Sequence, residues 1–67
     1  MDQQERLLIK KIEDLRDRID VIRNEIWWRQ AANITDTELI NELEQLLREY
    51  LRYIREHEEI REQQGIA

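Results

Sequence analysis

His57 is the only histidine in the chain, and it is the first candidate for chemistry because histidine can transfer protons or bind a metal near neutral pH. Glu56, Glu58 and Glu59 surround it. A di-metal site in a helical bundle uses Glu-x-x-His, but the residue three positions before His57 is Ile54. Glutamates beside a single histidine near a helix end are typical of a solvated surface. We therefore predict no metal site and no cofactor.

Nucleophilic side chains are also scarce. The chain has neither serine nor cysteine, which excludes nucleophilic catalysis by either type of residue. Its threonines, Thr35 and Thr37, lie where a helix is predicted to begin, and a hydroxyl there caps backbone N–H groups. These side chains therefore supply no nucleophile, and whether the protein is an enzyme stays open.

Composition and charge narrow the range of partners. Eleven Lys and Arg against sixteen Asp and Glu give the 67 residues a formal net charge of −5, which disfavours binding to nucleic acid. No apolar run approaches the roughly 18 residues that a membrane span needs. Residues 1–5 are polar and acidic, whereas a secretory signal is basic and then apolar. We expect a cytoplasmic protein that binds neither nucleic acid nor membrane.

The hydrophobic pattern predicts two long helices. The chain has no proline and one glycine, and 40% of its residues are charged and 40% hydrophobic, as is typical of helical bundles. In each half, apolar residues recur at alternating spacings of three and four. We expect helix 1 over about residues 3–31, a loop over about 32–35 and helix 2 over about 36–63, in one domain of residues 1–67. The predicted fold is all-α, an antiparallel two-helix hairpin.

Local signals mark the start of helix 2. Thr35 and Glu38 have the spacing of a capping box, in which Thr35 is the N-cap. Ile34 and Leu39 then fit a hydrophobic staple across the first turn. These signals predict that helix 2 begins directly after Thr35.

Two other residues are predicted to end helices. Asn33 is the residue best able to adopt a left-handed conformation after helix 1. Gly65 is predicted to close helix 2 in the same way, with Ile66 folded back against the last turn.

Both helices carry more apolar surface than contact between two helices covers. An entropy cost of about 1.5 kcal/mol per ordered residue nearly cancels the burial available to so small a chain. We expect a second copy to cover the remaining surface, giving an antiparallel dimer of hairpins that closes a four-helix bundle; a foreign protein is the alternative. The predicted self-association core is Leu8, Ile12, Leu15, Ile19, Ile22, Ile26, Leu39, Leu43, Leu46, Leu47, Tyr50 and Ile54.

Trp27 and Trp28 are adjacent, so they lie about 100° apart on a helix and cannot both enter one stripe. One interpretation is that they close the loop end of the bundle. The other is that they bind a partner protein, since exposed indoles often anchor interfaces.

Three segments carry a family resemblance: residues 7–16, residues 34–39 and residues 40–44. They resemble, in the same order, parts of the small sporulation-regulator aspartyl-phosphate phosphatases of endospore-forming bacteria. These two-helix proteins dephosphorylate a response regulator. Their helix 2 signature, Ser-Gln-Glu-Leu-Asp, falls on residues 40–44, where Glu42 and Leu43 are identical and Ile40 replaces the serine.

The resemblance implies that Glu44 takes the place of the signature aspartate and Asn41 that of the glutamine. A carboxylate and an amide on a helix can orient water for attack on an acyl phosphate in a receiver domain. Asn41 and Glu44 are thus the candidate catalytic residues, and Glu42 joins Trp27 and Trp28 as a candidate partner-binding residue.

Three functions follow from these patterns. We expect a helical-hairpin module that self-assembles through protein–protein contacts. The alternative is a regulatory phosphatase that acts on a sporulation response regulator. A helical adaptor that docks a partner without chemistry is the third.

Overall fold

The computed structural model describes residues 3–65 as two helices joined by a short loop. Helix α1 comprises Gln3–Ala31 and helix α2 comprises Thr37–Gly65, with 29 residues in each. The described residues form no strand. The helices pack antiparallel as a hairpin of 54 × 15 × 14 Å. The prediction of an all-α helical hairpin is confirmed, and neither described helix is both long enough and apolar enough to cross a membrane.

Helix α1 ends in a motif built around Asn33. This residue has a φ of 61°, which is the predicted left-handed conformation. The N–H of Asn33 donates to the carbonyl of Gln30 at 2.9 Å, and the N–H of Ile34 donates to that of Arg29 at 2.8 Å. These two bonds define a Schellman motif, which satisfies carbonyls that lack partners at a helix C-terminus. The prediction for Asn33 is confirmed.

Helix α2 starts one residue later than predicted because Asp36, and not Thr35, is its N-cap. The N–H of Leu39 donates to Asp36 Oδ1 at 3.1 Å, and the N–H of Ile40 donates to the Asp36 carbonyl at 3.1 Å. Asp36 also pairs with Arg29 in the last turn of α1. A carboxylate can make both contacts, whereas a threonine hydroxyl cannot form the ion pair. The capping box centred on Thr35 is therefore wrong.

Two further predictions about the ends of helix 2 are also wrong. With the cap shifted by one residue, the staple positions no longer coincide with Ile34 and Leu39, and Ile34 remains 53% exposed. Gly65 is the last residue of α2, and it does not have a positive φ. An exposed helix end can leave its last carbonyls to water, so it needs no left-handed residue. Ile66, its predicted contact, lies outside the described residues.

The core of the hairpin is narrow. On α1, Leu8, Ile19 and Ile22 are buried, whereas α2 has no buried side chain. Leu47, a member of the predicted self-association core, is 39% exposed in the single hairpin. The rest of the predicted core is half-buried: Ile12, Leu15, Ile26, Leu39, Leu43, Leu46, Tyr50 and Ile54. A helix with one neighbour keeps much of its surface open, so this core covers only part of the apolar surface.

Candidate interaction surface

The hairpin has two different sides, and helix geometry decides which residues lie on each. One step along a helix turns about 100°, so residues just after a core residue lie on one flank and residues just before it on the other. Because α1 and α2 run in opposite directions, residues that follow core residues in both helices lie on the same side. We call the side with Ile40, Leu47, Leu51 and Ile54 the apolar side, and the opposite side the charged side.

Polar contacts cross the charged side. Arg18 Nη2 lies 3.1 Å from Glu42 Oε1, and Lys11 Nζ lies 5.6 Å from the centroid of the Tyr53 ring. A shallow groove of about 300 Å³ runs along this side, and its lining includes Asp14 and Glu49 as well as the two cations. Because charges of both signs line the groove, it offers no concentration of one charge to an ionic ligand.

Within residues 3–65, no ion pair or cation–π contact involves the apolar side of α2. Ile40 and Ile54 are half-buried, whereas Leu47 is 39% and Leu51 63% exposed. Helix α1 contacts the neighbouring row of α2, so it covers this one only in part and leaves Leu47 and Leu51 exposed. Apolar surface left in water forgoes about 25 cal/mol per Å² of stabilisation. The row is therefore a surface that gains free energy when another chain covers it.

The two tryptophans lie on different faces of α1. Trp27 and Trp28 are 60% and 62% exposed, and their rings meet edge to face with centroids 5.0 Å apart. Trp27 directly follows the core residue Ile26, which places it on the apolar side. Trp28 lies one step further round, on the outer face of α1. The hairpin itself covers neither ring, so both are available to another chain.

A buried carboxylate lies at the open end of the hairpin. Glu5 is only 6% exposed, His57 Nε2 lies 3.3 Å from its Oε1, and Gln64 Nε2 donates to its Oε2 at 3.3 Å. The heptad pattern of helix 2 placed His57 in the same seam as Tyr53 and Ile60, and its side chain is 23% exposed, whereas the neighbouring Glu56, Glu58 and Glu59 are exposed. The signal was present: Glu5 lies three residues before Leu8, in the core stripe of α1. Within residues 3–65, no three metal-ligating side chains come together.

Residues 40–44, on which the family signature falls, are divided between the two sides of the hairpin. Glu42 precedes the core residue Leu43, lies on the charged side and pairs with Arg18. Glu44 follows Leu43, on the apolar side, and it is exposed, as is Asn41. Glu42 is thus engaged within the hairpin, while Asn41 and Glu44 present free ends to solvent.

Searches with protein-family models, among curated proteins and among solved structures gave no match for this chain. The feature that points to function is the apolar side, where exposed leucines and an exposed indole lie beside the core.

Proposed function

We propose that the protein is an interaction module that self-assembles through its apolar side, as an antiparallel dimer of hairpins forming a four-helix bundle. One observation carries this proposal: the row of apolar residues along α2 in which Leu47 is 39% and Leu51 63% exposed. The row lies directly beside the hairpin core. A second hairpin that docks there enlarges one continuous core, as in a four-helix bundle.

The energetics favour such a partner. The hairpin core is small, because α1 has three buried apolar side chains and α2 has none. For so small a core, the free energy gained by burial nearly equals the cost in chain entropy. Covering Leu47 and Leu51 contributes up to about 1.5–3 kcal/mol for each side chain fully buried. In a two-fold dimer each copy contributes the same row, so the gain is made twice.

The dimensions of the hairpin suit a second copy. A side of 54 by 15 Å offers an area close to the roughly 800 Å² that each partner buries in a stable interface. A hairpin of equal length covers this side from end to end.

Sedimentation velocity combined with denaturant unfolding tests the proposal. We expect the wild-type chain of 8.4 kDa to sediment as a dimer at micromolar concentration. Leu51→Glu and Leu47→Glu should each shift it to monomer and lower its stability, because each places a charge in the interface. The control Gln45→Glu adds the same charge on the charged side and should leave the dimer intact. A folded wild-type monomer, or equal effects of all three changes, would contradict the proposal.

Asn41 and Glu44 support a second candidate function. We propose that they act on the phospho-aspartate of a response-regulator receiver domain by orienting water for attack on it. The observation in favour is that both side chains are exposed on α2, about 60° apart, so both can reach one site on another protein.

The test is the lifetime of a phosphorylated sporulation regulator. The wild-type hairpin should shorten it, and Glu44→Gln should remove the effect without altering the helix content. Glu49→Gln, an exposed change on the charged side, is the control. Ile40→Ser with Glu44→Asp restores the family signature and should raise the activity. An unchanged lifetime with both the wild-type and the restored chain rules out this function.

A further inference from the structure

Helix α1 carries a second stripe on the apolar side, made of the residues that directly follow its core residues. The members of this paired stripe are, in order, Ile9, Glu13, Arg16, Asp20, Arg23 and Trp27. Their spacings of 4, 3, 4, 3 and 4 are the same from either end. Their chemistry runs apolar, acidic, basic, acidic, basic, apolar. Reading the stripe backwards exchanges every acid for a base and leaves the ends apolar.

This pattern has a definite consequence for pairing with a copy of itself. Two antiparallel copies oppose an acid to a base at every charged position and an apolar residue to an apolar one at both ends. Two parallel copies oppose each residue to itself, so that like charges meet four times. The stripe therefore attracts its own copy in one orientation and repels it in the other.

The stripe is available for such a contact. Ile9 is half-buried and the other members are exposed. Among residues 3–65, the ion pairs of α1 are formed by Glu5, Arg18, Glu25 and Arg29, none of which belongs to the stripe. The charges on the apolar side are thus uncommitted within the hairpin, whereas Arg18 and Arg29 are already paired.

We infer that α1 pairs antiparallel with α1 of a second copy. Arg16 then faces the partner's Asp20, Glu13 faces the partner's Arg23, and Ile9 packs against the partner's Trp27. This inference rests on the dimer proposed above and adds to it the orientation, the register and the residues that select them. The ligand of the stripe is therefore a second copy of this chain.

The same two-fold axis suits α2. The centre of the stripe is residue 18, and since Arg18 bonds to Glu42 and Lys11 lies over Tyr53, residues 42–46 of α2 lie level with that centre. An antiparallel contact between the two α2 helices centred between residues 45 and 46 places Ile40 against the partner's Leu51. In the same register Glu44, which also lies on the apolar side, is beside the partner's Leu47. Ile40 and Leu51 thus meet in both halves of the interface.

The other antiparallel arrangement, with α1 against the partner's α2, is less favourable. In the hairpin, Asp20 lies about level with Ile40, because Arg18 reaches Glu42 and the helices run in opposite directions. If α1 faced the partner's α2 at the same level, Asp20 would meet the partner's Ile40, an apolar residue that cannot pair with its charge.

Charge inversion followed by mixing tests the inference. In a homodimer, Arg16→Glu opposes two acids at two places, and Asp20→Arg opposes two bases at two places. A heterodimer of the two variants opposes an acid to a base at both places. The two positions are also i and i+4 in one helix, but mixing cannot repair that intrachain pair. A gain on mixing therefore reports only contacts between chains.

Sedimentation equilibrium at low ionic strength measures the effect, because salt screens exposed charges. Each variant alone should associate more weakly than the wild-type chain, and the equimolar mixture should associate about tenfold more tightly than either variant. Lys10→Glu and Asp17→Arg form the matched control, since both positions are exposed and lie outside the stripe. Their mixture should show no gain over its components.

The outcomes separate this inference from the proposed function. A dimeric wild-type chain whose two variants gain nothing on mixing overturns the antiparallel pairing of α1 and leaves the dimer in place. A monomeric wild-type chain overturns both. If one variant fails to fold alone, recovery of helical circular dichroism on mixing supports the inference, and no recovery contradicts it. The double variant Arg16→Glu with Asp20→Arg should dimerise with itself as the wild-type chain does.

Discussion

At the scale of single residues, the carboxylate of Asp36 connects the two helices. It accepts the N–H of Leu39 at the start of α2 and pairs with Arg29 in the last turn of α1. One side chain thus satisfies a helix donor that lacks an intrahelical partner, places negative charge at the positive end of the helix dipole and anchors the loop.

We expect Asp36→Ala to lower the free energy of unfolding by about 1–2 kcal/mol, because it removes the cap. Asp36→Asn keeps a capping oxygen and loses only the charge, so it should recover most of this stability. Thr35→Ala should change the stability by no more than about 0.5 kcal/mol. Urea unfolding at one fixed protein concentration measures all three. A Thr35→Ala effect as large as that of Asp36→Ala would place the cap at Thr35 instead.

The buried carboxylate of Glu5 gives a second prediction at this scale. His57→Leu removes one of its partners and should destabilise the chain by about 1–3 kcal/mol. Adding Glu5→Leu replaces the polar pair by an apolar contact in line with Leu8, and the double variant should be close to wild type or more stable. Thermal unfolding of the wild-type chain, both single variants and the double variant gives a double-mutant cycle for the free energy of unfolding. Strictly additive losses would show that the contact between Glu5 and His57 carries no stability.

At the scale of the helices, the turn after α1 depends on the one non-glycine residue in residues 3–65 that has a positive φ. Asn33→Ala should lower the stability by about 1 kcal/mol, since alanine is strained in the left-handed region, whereas Asn33→Gly should retain it. Ala32→Gly is the control: this neighbour lacks a positive φ, so glycine there should only destabilise. Chemical denaturation compares them. Equal stability of the alanine and glycine variants at position 33 would contradict the left-handed turn.

At the scale of the whole molecule, the assembly we propose makes the hairpin half of a bundle. Its two sides differ: an ion pair and a cation–π contact cross one side, and an uncovered apolar row and the paired stripe occupy the other. If folding and assembly are one equilibrium, the midpoint of unfolding rises with protein concentration. Ile19→Asp, in the core beside the apolar side, should then dissociate and unfold the chain in a single transition.

The adjacent tryptophans provide a matched test at this scale. Their exposures of 60% and 62% are nearly equal, but only Trp27 belongs to the paired stripe. Trp27→Ala should weaken dimerisation about tenfold or more, because buried aromatic side chains dominate interfaces, whereas Trp28→Ala should have little effect. Tryptophan fluorescence of the Trp28→Ala variant, which reports Trp27 alone, should shift to shorter wavelength as the dimer forms. A larger effect of Trp28→Ala would move the interface to the outer face of α1.

The sequence alone was sufficient for the two helices, the short connection and the left-handed Asn33. These are local properties: a repeat of three and four residues defines a helix face, and a turn residue needs only its neighbours. Tertiary structure decided which residue caps α2, because Arg29 reaches Asp36 only when the chain turns back. It also brought Glu5 to His57, 52 residues away in the chain, and left Leu51 uncovered. These outcomes depend on how two distant helices align, and no local pattern in either helix specifies that alignment.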